Sequence, residues 1–137
     1  MKAILLPAVA ALLLAACGTA GTGSGPSPGV TPGQGFDLVV SDHDTTATMQ
    51  VGQKVELVLH ARGGMSNWMQ PRSSKESVLA PIVDPAATAV RGVTLAAFQA
   101  MSPGEAQITA YASPICSPGQ ACPMYVAVFN VTVTVTA

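Results

Sequence analysis

Apolar residues recur at every second position through much of this chain, and that rhythm restricts it to β-strands. Val55, Leu57 and Leu59 fall on one parity, with Lys54, Glu56 and His60 on the other. Ala106, Ile108, Ala110 and Ala112 alternate with Gln107, Thr109 and Tyr111. Tyr125, Ala127, Phe129, Val131, Val133 and Val135 again share one parity. Neighbouring side chains of a strand point to opposite faces, so each run buries one face and leaves the other to solvent. A helix would scatter the charges of Lys54 and Glu56 through the core.

Weaker runs fit the same scheme. Phe36, Leu38 and Val40 alternate with Asp37 and Val39, and Met49 and Val51 follow after a polar turn. Val78, Leu79, Ile82 and Val83 give short pieces that Pro81 and Pro85 confine to edges or bends. Gly92 to Phe98 reads as another strand, and Ser102-Pro103-Gly104 as a turn. The final run is long for one strand and predicts a bend or bulge within it. About seven strands, with no amphipathic helix, predict an all-β fold: an antiparallel sandwich of two facing sheets. Trp68, the single tryptophan, is expected to fill the space between them.

The start of the chain has a different character. Met1-Lys2 precedes an apolar run from Ala3 to Ala16 that is shorter than the roughly 20 residues needed to span a bilayer. A positive residue, a brief apolar segment and small residues before a cut site read as a secretory signal. Leu14-Ala15-Ala16-Cys17 resembles the lipobox of bacterial lipoproteins. That resemblance implies cleavage before Cys17, a diacylglyceryl group on its sulfur and an acylated new amino terminus. It places the protein on a bacterial cell membrane, lipid-anchored and facing outside the cytoplasm, periplasmic or extracellular. Residues 18–35 hold Gly, Ser, Thr and Pro with almost no hydrophobe, which reads as a flexible tether. The expected organisation is a signal peptide over residues 1–16, a lipidated tether over 17–35 and one folded domain over 36–137.

Of three cysteines, Cys17 goes to lipid, leaving Cys116 and Cys122. An even pair outside the cytoplasm is expected to form a disulfide. The alternative, a metal site, has the wrong spacing and no second Cys/His pair nearby. Only 9% of residues are charged and the net charge is −1, so no basic stripe exists for nucleic acid. No phosphate loop, metalloprotease helix or nucleophile elbow occurs, so no catalytic residue, metal or cofactor is expected. Asp42-His43-Asp44 reads as a solvated turn. Asn130-Val131-Thr132 matches a glycosylation pattern, but Asn130 falls in an expected strand and the lipobox resemblance implies a bacterium.

An ordered set of short pieces carries a family resemblance. It runs Val51-Gly52-Gln53-Lys54-Val55-Glu56-Leu57, Trp68, Ser73-Ser74, Val78, Gly92-Val93-Thr94, Pro103 through Ala110, and Val131-Thr132-Val133. This order resembles the bacterial Ig-like domains of group 2, and implies an Ig-like sandwich used for display, spacing or binding without catalysis. The chain departs from that pattern in two loops, Ala61 to Asn67 and the proline-rich Pro114 to Pro123. Both are expected at one end of the sandwich, where such scaffolds place binding residues. Arg62, Met65, Asn67, Ile115, Gln120 and Met124 are the candidate binding rim. The expected partners are the membrane, through Cys17, and an envelope or extracellular protein or glycan.

Val51-Gly52-Gln53 leading into a strand, with a Trp after the next loop, is also similar to the chagasin family of cysteine protease inhibitors. That family is Ig-like with three loops at one end. Where it carries Asn-Pro-Thr-Thr-Gly, this chain has Ala61-Arg62-Gly63-Gly64-Met65, and the Arg-Pro-aromatic motif of its last loop is missing. The resemblance implies inhibition of cysteine proteases as an alternative function.

Overall fold

The structure, a computed structural model, describes residues 32–33, 35–84 and 91–137. Cys17 and the expected signal peptide lie outside the described residues, as does most of the expected tether. Eight strands are present: β1 (Leu38–Ser41), β2 (Thr46–Gln50), β3 (Lys54–His60), β4 (Arg72–Ser73), β5 (Leu79–Ile82), β6 (Val93–Ala100), β7 (Gly104–Ala112) and β8 (Ala127–Thr136). They form two four-stranded sheets, ordered β1-β3-β6-β5 and β2-β8-β7-β4. The fold is the expected all-β, Ig-like sandwich.

The parity read from the sequence sets the core. Val55, Leu57 and Leu59 of β3, with Phe98 and Leu79 of the same sheet, are fully buried in one cluster with Ile108, Val131 and Val133 of the other sheet. Trp68 is 4% exposed and packs edge-on against Phe129, with ring centroids 6.2 Å apart. Burying a large apolar side chain stabilises by about 1.5–3 kcal/mol, so these inward rows hold the two sheets together. Pro81 sits in edge strand β5, where its missing N–H costs no ladder bond to a further strand.

Four expectations are corrected. First, the sandwich is not wholly antiparallel: β1 runs parallel to β3, and β2 parallel to β8. The chain reverses between β1 and β2 and again before β3, so β1 and β3 run the same way. Second, β8 begins at Ala127 and pairs one-to-one with β7 from Ala112–Ala127 to Gly104–Val135, without a bulge. Tyr125 and Val126 stay in the preceding loop, which shortens the run that looked too long. Third, Glu56 faces outward as its parity requires, yet is only 6% exposed. Gly33 donates its N–H to Glu56 Oε2 at 3.0 Å, and the Phe36 N–H closes a turn onto the Gly33 carbonyl. A covered carboxylate needs a donor, and the Gly33 N–H supplies it. Fourth, Val39 is buried although its parity is outward, since it lies in the same row as Glu56.

The strand directions sort the connections by end. Residues 42–45, 61–71 and 113–126 emerge at one end, where β5 also ends and β6 begins, and the short links 51–53, 74–78 and 101–103 at the other. The chain enters β1 and leaves β8 at the short-link end. The loop end and the chain termini of the body are thus opposite each other.

Candidate binding site at the loop end

The long connections do not splay apart. Met65 forms an isolated bridge with Pro114, the Ile115 N–H donates to the Gly64 carbonyl at 2.9 Å, and the Ser66 N–H donates to the Ser113 carbonyl at 2.8 Å. The Ser113 N–H returns a bond to Ser66 Oγ at 3.1 Å. Gly64 makes this approach possible by adopting φ +75°, a conformation that costs a side-chain-bearing residue more. The third connection joins through Gly92, whose N–H donates to Asn67 Oδ1 at 3.1 Å and whose carbonyl accepts from Ala61 at 2.7 Å. Three loops far apart in sequence therefore form one surface.

Trp68 anchors that surface from beneath. Its Nε1–H donates to the His60 carbonyl at 2.8 Å, and Thr94 Oγ1 donates to the Trp68 carbonyl at 2.9 Å. The Arg62 guanidinium lies over the indole, 5.4 Å from its centroid. The disulfide between Cys116 and Cys122 is present, with Cα atoms 5.3 Å apart, and ties the tip of the last loop.

The six sequence-derived rim residues all lie at this end, with different roles. Arg62, Ile115, Gln120 and Met124 are exposed, Ile115 at 69% and Met124 completely. Asn67 is exposed but spends its carboxamide oxygen on Gly92. Met65 is corrected: it is 6% exposed and belongs to the core cluster, so it supports the rim instead of presenting a side chain. Its bridge to Pro114 pulls it inward, which spacing along the sequence does not register.

Sequence reasoning missed several contributors. Among the described residues, every exposed large hydrophobe except Val51 and Met101 lies at or beside the loop end, including Met69, Val83, Tyr125 and Val126. Concentrated exposed apolar surface marks an interaction site, whereas scattered single residues do not. Parity places Tyr125 in the core, but it is exposed in the loop before β8, and its nearness to Cys122 is the sequence signal for that. Arg62 and Arg91 are exposed cations of this end.

The neighbouring β1–β2 turn is the polar turn the sequence predicts. Ser41 donates its N–H and Oγ to Asp44 Oδ2 at 2.7 and 2.9 Å. Asp42 lies between His60 Nδ1, at 3.2 Å, and His43 Nε2, at 3.6 Å. Partial burial raises the Asp42 pKa, but the His60 hydrogen bond, a bond from its own backbone and the charges of both histidines outweigh it, leaving the carboxyl below its ordinary 3.8. Among the described residues no group of three His, Cys, Asp or Glu side chains is placed to hold a metal ion.

No protein-family model matches this chain, and no curated protein matches it in sequence. In structure it is similar to the cysteine protease inhibitor EhICP2 from Entamoeba histolytica, at 12% identity and a TM-score of 0.48, over 72% of this chain and 93% of that one. It is also similar to amebosin, at 18% identity and a TM-score of 0.42, over 72% of this chain and 96% of that one.

Proposed function

We propose that this protein is a non-catalytic binding module that works from its loop end, and that its activity is inhibition of a cysteine protease. The convergence of three long connections into one stitched, apolar surface carries the reading. Such a surface can enter a cleft on another protein, and the disulfide and prolines of residues 113–126 reduce the freedom lost on docking. The partner class comes from the resemblance of Val51-Gly52-Gln53 and Trp68 to the chagasin family. The contact residues are this chain's own: Ile115, Met124 and Tyr125 as apolar anchors, with Arg62 beside them.

The lipobox resemblance at Cys17 completes the proposal. A lipid on Cys17 holds the protein to the bacterial membrane, outside the cytoplasm, with residues 18–35 as the tether. The body receives the tether at the short-link end, so the loop end is presented away from the bilayer.

Titration of papain-like proteases with the purified protein tests the activity. Tight, stoichiometric loss of protease activity is expected, and its abolition by Ile115→Asp with Met124→Asp. Protease activity that stays unchanged at micromolar protein favours the second reading, in which the same exposed apolar surface serves adhesion or display on the envelope. Palmitate incorporation that depends on Cys17 tests the anchor.

A further inference from the structure

A groove of about 240 Å³ lies on the outer face of the β2-β8-β7-β4 sheet, between β7 and the segment leading into β4. Tyr111, Thr109, Arg72, Gln70 and Ser73 line it, with Met69 at one end. Its walls are fixed by the backbone. The Met69 N–H donates to the Tyr111 carbonyl at 2.7 Å, the Ser74 N–H to the Gln107 carbonyl at 2.8 Å, and the Gln107 N–H to Ser74 Oγ at 2.9 Å. Arg72 and Thr109 are paired in register between these points. A groove held open in this way needs little reorganisation to take a ligand.

Three features define the ligand. Tyr111 is 48% exposed, so its ring offers an apolar platform with a polar tip. Arg72 is exposed and makes no ion pair among the described residues, Glu76 sharing only a neighbouring groove with it, so its guanidinium fork can take a carboxylate. That fork matches a carboxylate through two parallel hydrogen bonds. Gln70, Ser73 and Thr109 add neutral donors and acceptors suited to hydroxyl groups. The volume falls below the roughly 300 Å³ at which pockets for drug-sized ligands begin, so one small ring fits. An extended peptide would instead pair with a sheet edge, and β4 offers only two residues of edge.

We propose that this groove binds a carboxylate-bearing sugar unit of a polysaccharide. The sugar ring stacks on Tyr111, its carboxylate is held by Arg72, and its hydroxyls meet Gln70, Ser73 and Thr109. The groove adjoins the loop end through Met69 and Tyr111, but its ligand is argued from its own lining and does not rest on protease inhibition.

The test is calorimetric titration of the full-length protein in detergent micelles at low salt. The probes are tri-galacturonic acid, neutral galactotriose and tri-glutamate. Tri-galacturonic acid is expected to bind at least about tenfold more tightly than either other probe. Arg72→Gln and Tyr111→Ala should each lose about tenfold, while Tyr111→Phe retains binding and all three variants melt like the parent. Equal affinity for the neutral sugar, equal affinity for tri-glutamate, the absence of binding heat with tri-galacturonic acid, or undiminished binding by well-folded Arg72→Gln would each overturn the assignment.

Discussion

Replacing Trp68 by Phe tests how the loop end is held to the core. The substitution keeps an aromatic ring against Phe129 but removes the Nε1–H that bonds the His60 carbonyl at 2.8 Å. Losing a buried hydrogen bond of this kind costs about 1 kcal/mol net. The smaller ring leaves a void on the order of 40 Å³, worth about another 1 kcal/mol at ~24 cal/mol per Å³. Arg62 loses its better aromatic partner, at about 0.5 kcal/mol. Together these give about 2.5 kcal/mol, or a fall in melting temperature of roughly 10–20 °C for a domain of this size. Far-UV circular dichroism is the assay, because the variant has no tryptophan left to report. A double-mutant cycle with Arg62→Ala should return a coupling of about 0.5 kcal/mol. A melting temperature within about 2 °C of the parent would refute the reasoning, since Trp68 would then contribute under about 0.5 kcal/mol.

Opening the disulfide with Cys116→Ser should cost about 2 kcal/mol on the chain-entropy model, measured by urea unfolding, while thiol titration of the unfolded mature parent finds no free thiol. Because the Asp42 carboxyl is held below its ordinary value, its stabilisation is complete above pH 3.8 and lost as pH falls through the lower folded-state value. Asp42→Ala should therefore lower the melting temperature at pH 5, and by progressively less as the pH falls below 3.8. A side chain at Gly33 would place its Cβ 3.1 Å from Glu56 Oε2, so Gly33→Val should break that hydrogen bond and cost about 1 kcal/mol, with faster hydrogen exchange at the Phe36 amide.

The fold was legible wherever one face of a strand is apolar. Leu57 and Val133 are buried because their parity says so, and a one-residue slip would expose them and bury their polar neighbours. The same rule misled at Tyr125, where parity continues past the point at which pairing stops. Glu56 and Val39 are buried against their parity because parity gives direction, not cover, and at Glu56 the contact is the Gly33 N–H. For the loop end, polar and proline-rich segments mark the long loops in the sequence, but nothing in it shows that Met65 is buried while Met69 and Val83 are exposed. Loop side chains follow no period, so nothing local tells an anchor from a support.

The sequence alone determined that the chain forms strands, which side chains of the central strands face inward, and that Cys116 and Cys122 are close enough in the chain to bridge. Those are matters of local geometry and of short spacing. Tertiary structure decided that β1 and β2 join different sheets in parallel, that Gly64, Ser66, Asn67, Gly92 and Pro114 meet at one end, and that Tyr111 and Arg72 share a groove. Each of these depends on contacts between residues distant along the chain, and only the packing of the two sheets brings them together.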